Sequence, residues 1–171
     1  MKWLLGPAGA NDHFEPTDFN DGYRSSGAVR LLSHALLPTR LRDLAIDLTI
    51  DTEHDTYRVG ESIDLRIGMR NRLPLPVQLT TLTPERWMWS VDGHPEGERV
   101  RPIVPEDEAS PFVFDRSERK TFMRRWTGHF RISDREWEPA SPGEYTVSVA
   151  INVDDPKRRG LYDEATIEIV Q

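Results

Sequence analysis

Catalytic and metal chemistry needs particular side chains at spacings that let them converge, and few stretches of this chain offer them. The five histidines, His13, His34, His54, His94 and His129, stand singly in unrelated contexts, without the paired spacing of a zinc site. G-x-S-x-G, S-x-x-K with its companion motifs, H-E-x-x-H, the phosphate-cradling G-x-x-x-x-G-K-[ST] and the dinucleotide fingerprint G-x-G-x-x-G are missing. Asp51-Thr52-Glu53-His54-Asp55 sets three carboxylates at alternate positions. An EF-hand calcium loop would also need its central glycine and closing glutamate, so an acidic strand end facing water is the plainer reading. The same holds for Glu106-Asp107-Glu108 and Asp154-Asp155. We expect no enzymatic site, no metal and no cofactor.

The residues that remain suit recognition. Trp87 and Trp89, at i and i+2, share one face of a strand and, with Trp126 and Trp137, would line a groove or fill a core. Ile103 and Val104 sit between Pro102 and Pro105, ahead of three carboxylates. Apolar side chains on a loop stiffened by proline lose little entropy on docking, although the two residues would equally extend a strand. Ile103, Val104, Pro105, Trp87 and Trp89 are therefore the candidate partner-binding residues. Arg124-Arg125, interleaved with Phe122 and Trp126, resembles a stacking platform for bases. The net charge of −7 argues against nucleic acid, and pairing with carboxylates on neighbouring strands accounts for the arginines. Lys157-Arg158-Arg159 is a second small basic cluster.

These side chains need strands to hold them, and the clearest is Pro139 to Val153. Ser141-Pro142-Gly143 is a turn signal. Beyond it Tyr145, Val147, Val149, Ile151 and Val153 alternate with Thr146, Ser148, Ala150 and Asn152. A period of two makes a half-buried strand, and five large apolar side chains on one face need an opposing sheet. Leu44-Ile46-Leu48-Ile50, Ile63-Leu65-Ile67-Met69, Val77 to Leu82, Glu85 to Val91, Phe112 to Phe114, Lys120 to Trp126 and Ala165-Ile167-Ile169 follow suit, while Phe130 to Trp137 is ambiguous. Asp92-Gly93 is a hairpin turn signal, with a return expected over 98–103. Pro102 to Pro111 reads as a loop and Asp154 to Gly160 as a polar turn. The pattern predicts an all-β, immunoglobulin-like antiparallel β-sandwich of about eight strands over residues 41–171.

Residues 1–40 form an extension. Residues 1–26 are polar and turn-rich, with Phe14, Phe19 and Tyr23 as anchors if they drape over the domain. Ser26 to Leu37 is the helix candidate: Val29, Leu32, Leu36 and Leu37 recur near helical spacing and Pro38 stops it. So short a helix must dock its apolar stripe, on the sandwich or on a partner.

Composition bounds the rest. The chain has 171 residues, 37% hydrophobic, and no cysteine, which fits a reducing compartment. No apolar run approaches the roughly 18 residues of a membrane span. The run Met1-Lys2-Trp3-Leu4-Leu5 stops at Gly6-Pro7, short of the about 7–15 apolar residues of a secretory signal. We expect an unprocessed, cytoplasmic protein. Of 22 basic residues only Lys2, Lys120 and Lys157 are lysines, against 29 acidic residues. Salt-loving archaea use residues this way, and a high-GC genome also favours arginine.

From about Leu44 to Val153 the chain resembles the BsuPI domain family, named for an intracellular proteinase inhibitor of a Bacillus. The features that carry it run in order: Tyr57-Arg58-Val59-Gly60-Glu61, the RNRLPLPVQL segment from Arg70 to Leu79, the tryptophan strand Arg86 to Val91 ending in Asp-Gly, a basic-aromatic strand ending at Trp126, and Ser141-Pro142-Gly143-Glu144-Tyr145-Thr146-Val147. An arrestin-like sandwich is a second resemblance, resting on Tyr57 to Glu61. The BsuPI resemblance implies an immunoglobulin-like sandwich and a protein partner, a protease among the candidates. It places no inhibitory residues here. The alternative roles are a structural or assembly domain that pairs through sheet edges and an uncharacterised domain with an enzymatic site that no motif marks.

The acidic surface makes a direct prediction. Self-repulsion among carboxylates is screened at 1 M salt, where the Debye length is about 3 Å. The melting temperature should climb steeply from low to molar KCl. A flat response would leave genome composition as the source of the arginine bias.

Overall fold

The computed structural model describes residues 38–97, 108–133 and 135–171. The helix expected at 26–37, the 98–103 return and the candidate residues Ile103, Val104 and Pro105 lie outside the described residues. In chain order the elements are α1 (Thr39–Leu44), β1 (Ile46–Thr52), β2 (Thr56–Arg58), β3 (Ile63–Asn71), β4 (Val77–Thr81), β5 (Trp87–Val91), β6 (His94–Pro95), β7 (Ser110–Phe114), β8 (Arg119–Trp126), β9 (His129–Ser133), β10 (Glu136–Pro139), β11 (Gly143–Ile151), α2 (Pro156–Arg159) and β12 (Tyr162–Val170). The described residues are all-β in character, with several antiparallel sheets and two short helices.

One sheet runs β1-β3-β8 and another β2-β12-β11-β5-β6; β4-β7 and β9-β10 make two-stranded ladders. Alternation decides which side of each strand is buried. Ile63, Leu65, Ile67 and Met69 of β3, Val147, Val149 and Ile151 of β11, and Ile167 and Ile169 of β12 belong to one apolar core. Aromatic rings join the two larger sheets: Trp87 on β5 lies 4.8 Å from Phe122 on β8, and Trp126 on β8 lies 6.0 Å from Tyr145 on β11. Burying a side chain of this size contributes about 1.5–3 kcal/mol.

Several expectations need correction. The described residues hold twelve strands, not about eight; the extra ones are short, and β10 is exposed throughout, so no alternation announces them. One pair, β2 with β12, is parallel. Leu41 and Leu44 lie on α1, both exposed, because the strand alternation begins only at Ile46. The hairpin after Asp92-Gly93, whose φ angles of 47° and 75° match a type I′ turn, returns at once as β6, ahead of the expected 98–103 segment. Ser110 and Pro111 belong to β7. Asp154 to Gly160 contains the single turn α2, where the Asp155 side chain accepts from the Arg158 N–H at 3.4 Å. Arg159 at its end donates two hydrogen bonds, 2.9 and 2.7 Å, to the buried Asp43 of α1, which ties α1 to the loop between β11 and β12.

The segment from Arg72 to Pro76 shows how one polar residue organises the fold. Arg70 faces Arg119 and, further on, Val77 faces Phe114. The β3-β8 ladder thus continues as β4-β7 with two more residues on the first side. Pro74 and Pro76 have no N–H to give, so the ladder must break there. Asn71 closes the gap. It sits on the inward face of β3, fully buried. Its amide donates to the carbonyls of Leu75 (2.7 Å) and Asp115 (2.8 Å) and accepts from the Leu73 N–H (2.9 Å). Removing it strands three backbone groups, each worth about 1–3 kcal/mol when buried unpaired. Asn71→Ala should therefore lower the melting temperature by at least about 6 °C, at roughly 2–4 °C per kcal/mol for a chain this size. Thr80→Ala, on the exposed face of β4, serves as the control and should shift it little. Equal melts for both variants would mean that the break holds itself.

Candidate functional site

The site begins with β5. Its inward positions are Trp87, Trp89 and Val91, and the strand ends where sheet meets solvent. Trp89 is 5% exposed and Trp87 only half-buried. Phe122 packs against Trp87 from β8, and two residues on Arg124 lays its guanidinium over the same ring, 4.9 Å from the centroid. Arg86, beside Trp87, lies 5.8 Å over the ring of Phe112 on β7. Pro84, Glu85, Arg86, Trp87, Trp89, Glu96 and Arg124 line a cavity of about 270 Å³.

The far wall is set by the β5-β6 hairpin. Glu96 has a left-handed backbone, φ 52°, and its N–H donates to the Trp89 carbonyl at 3.0 Å. Gly97 follows at φ 73°, and a Cβ there would lie 2.6 Å from the Trp126 indole nitrogen. That indole, buried, donates to the His129 carbonyl at 2.8 Å, and the Arg131 N–H reaches the Gly97 carbonyl at 3.2 Å. The tight turn thus carries Glu96 to the cavity while locking Trp126 and β9 behind it.

The polar inventory of the cavity is uneven. The Trp89 indole N–H is buried and meets no acceptor. Arg124 donates to the Met123 carbonyl at 2.9 Å, and neither Arg124 nor Arg86 pairs with a carboxylate among the described residues. The neighbouring basic residues are already matched. Arg125 holds Asp64, directly opposite on β3, through bonds of 2.6 and 3.0 Å. This hydrogen bond keeps the Asp64 carboxyl below its ordinary range, so its contribution is present above that range and fades as pH falls through the lowered value. An exposed pair of this kind is worth about 0–1 kcal/mol. Lys120 pairs with Glu118 at 2.7 Å.

The structure thus brings Trp87 and Trp89 together with Arg124. Trp126 is core, and Trp137 is exposed on β10 with Arg131 6.0 Å from its ring, apart from the cavity lining. Arg86, Glu85 and Glu96 were not expected in a site. Phe122, Arg124 and Trp126 lie on one strand face by simple alternation, which is a sequence signal for Arg124. The approach of β8 to β5 leaves none. Asp51, Glu53 and Asp55 face solvent, and among the described residues no three His, Asp or Glu side chains are grouped to hold a metal. No described helix is long and apolar enough to cross a membrane.

A model of a family of unknown function, DUF7974, matches residues 34–170. No curated protein matches the sequence. Among solved structures, a β-glucosidase from Listeria innocua in complex with isofagomine is similar at 14% identity and TM-score 0.43, over 72% of this chain and 16% of that one. The CARDB domain of a Pyrococcus furiosus protein is similar at 13% identity and TM-score 0.43, over 73% and 95%. An alkylpurine DNA glycosylase of Pseudomonas fluorescens bound to DNA is similar at 14% identity and TM-score 0.44, over 84% and 34%. The chain spans only a small part of the two enzymes, and at these scores the likenesses say nothing of activity.

The hairpin wall can be tested by itself. Gly97→Ala puts a methyl group into the Trp126 indole at a backbone angle that alanine avoids. It should cost about 1–3 kcal/mol and change the near-ultraviolet circular dichroism of the tryptophans. Gly93→Ala, also at positive φ but with open space around it, should cost less. Equal losses would show that backbone strain alone sets the effect.

Proposed function

We infer that this chain, which belongs to the DUF7974 family of unknown function, is an immunoglobulin-like β-sandwich module that binds another protein in the cytoplasm and is not an enzyme. The observation that carries this reading is the Trp87-Arg124 pair beside the 270 Å³ cavity. Tryptophan and arginine are the residues most enriched where partners bind tightly. Here they stand at the solvent border of a rigid sheet, so little ordering is needed on docking. A proteinase inhibitor or regulator is the specific form of this reading, supported by the BsuPI resemblance. Ile103, Val104 and Pro105 remain a second candidate contact on sequence grounds.

A second reading has its own support. β8 is eight residues long and, among the described residues, pairs with β3 alone. Its other side is suited to strand addition, which would serve a structural or assembly role.

Affinity capture from the native lysate, at native salt, compares wild type with Arg124→Glu and with Ile103→Asp plus Val104→Asp. Reversing the charge at Arg124 should reduce recovery of the partner at least tenfold while the melt stays near wild type. Loss only with the double variant would move the contact to residues 103–105. A partner recovered equally by all three folded proteins would remove both surfaces from consideration.

A further inference from the structure

We propose that the cavity beside Trp87 receives a carboxylate carried on an extended acidic segment of the protein partner. This rests on the protein-binding reading and names the chemistry of that partner.

Donors from three residues line the cavity, and none of them meets a carboxylate; Arg124 gives one N–H to the Met123 carbonyl at 2.9 Å and keeps the others. The indole N–H of Trp89 is buried and unpartnered, a state that costs stability unless something else fills it. Arg124 and Arg86 are each stacked on an aromatic ring. Stacking occupies the face of a guanidinium and leaves the in-plane N–H groups to be donated. An acceptor ligand is what the set lacks. A carboxylate accepts from a guanidinium through both oxygens and keeps lone pairs for the indole.

Charge favours the same occupant. Arg119, Lys120, Arg124 and Arg125 lie on β8, and no acidic residue falls between 119 and 126. This strip belongs to a chain of net charge −7, so it stands out as the local complement to an acidic strand. Lys120 and Arg125 already hold Glu118 and Asp64; of the remaining Arg119 and Arg124, Arg124 lines the cavity and is placed to meet the incoming group.

Glu85 and Glu96 also line the cavity, and both are exposed. They stand at the watery rim, while the Trp89 donor lies at the buried end. Screening keeps their repulsion of a single carboxylate small. Against a doubly charged phosphate the repulsion roughly doubles, so the rim selects the carboxylate. The apolar stem of a glutamate or aspartate would lie along Trp87 and Pro84.

The test uses the full chain, at a salt concentration where it melts cooperatively, and follows the indole N–H resonances by ¹H–¹⁵N correlation. The Trp89 signal is identified as the one lost in Trp89→Phe. The probe is a short acetylated and amidated peptide alternating glutamate and valine. Its glutamine counterpart, sodium acetate and glucose are titrated alongside. The glutamate peptide should move the Trp89 resonance, the glutamine peptide should bind at least tenfold more weakly, and Arg124→Gln should weaken the glutamate peptide at least tenfold with the melt unchanged. A Trp89 resonance that stays still with the glutamate peptide overturns the proposal. So do equal shifts with the glutamine peptide, with acetate alone, or with glucose, which would assign the cavity to shape, to a free anion or to a polyol. A partner captured from lysate as well by Arg124→Gln as by wild type leaves the protein-binding reading in place and removes this one.

Discussion

The inward facing of Val147, Val149 and Ile151 is the constraint on which the molecule depends. β11 pairs with β12 on one side and with β5 on the other. Side chains on a strand have a period of two, so a slip of one residue would turn Thr146, Ser148 and Ala150 into the core. The burial of three large apolar side chains, together about 5–9 kcal/mol, holds the register. The same register sets the cavity. Val149 faces Trp89 and Ile151 faces Trp87, so the tryptophans stand where the core strand puts them. β8 reaches them from the other sheet through the Trp87-Phe122 and Trp126-Tyr145 contacts.

Much of this was legible in the residues because the strands near the core have uninterrupted alternation. β3 shows it for nine residues, β12 shows it from Glu164 to Ile169, and β11 carries it in its residue types from Tyr145 to Ile151. Reading failed where the physical signal is not periodic. Asn71 takes the inward position that follows Met69, and a polar residue there reads as the end of a strand. Only the pairing of β3 with β8 reveals that it bridges a two-residue offset. α1 was missed because Leu44 stands at the alternating distance from Ile46, although Leu41 and Leu44 face water. For the site, the i, i+2 spacing of Trp87 and Trp89 was sufficient to select them. Arg86 precedes β5 and Arg124 lies on β8, in different sheets, and a sequence carries no record of which strands approach across a core.

Arginine has a double use in this chain. Arg159 and Arg125 saturate carboxylates, one buried and one exposed. Arg86 and Arg124 instead lie on aromatic rings without a counter-charge. These two flank the cavity that also contains the one buried indole N–H lacking an acceptor among the described residues. The coincidence of unmet donors in a single place distinguishes the cavity from the rest of the sheet surface. Stability contributes little to explaining it, since an exposed cation–π contact is worth about 0.5–1 kcal/mol.

The central claim is that Arg124 is kept for a partner and not for the fold. The most direct measurement is the thermal melt of Arg124→Met, which preserves an unbranched stem against Trp87 but removes the charge. The account predicts a melting temperature within about 3 °C of wild type, as expected from losing a contact worth at most about 1 kcal/mol. A fall of 10 °C or more would contradict it and make Arg124 a structural residue.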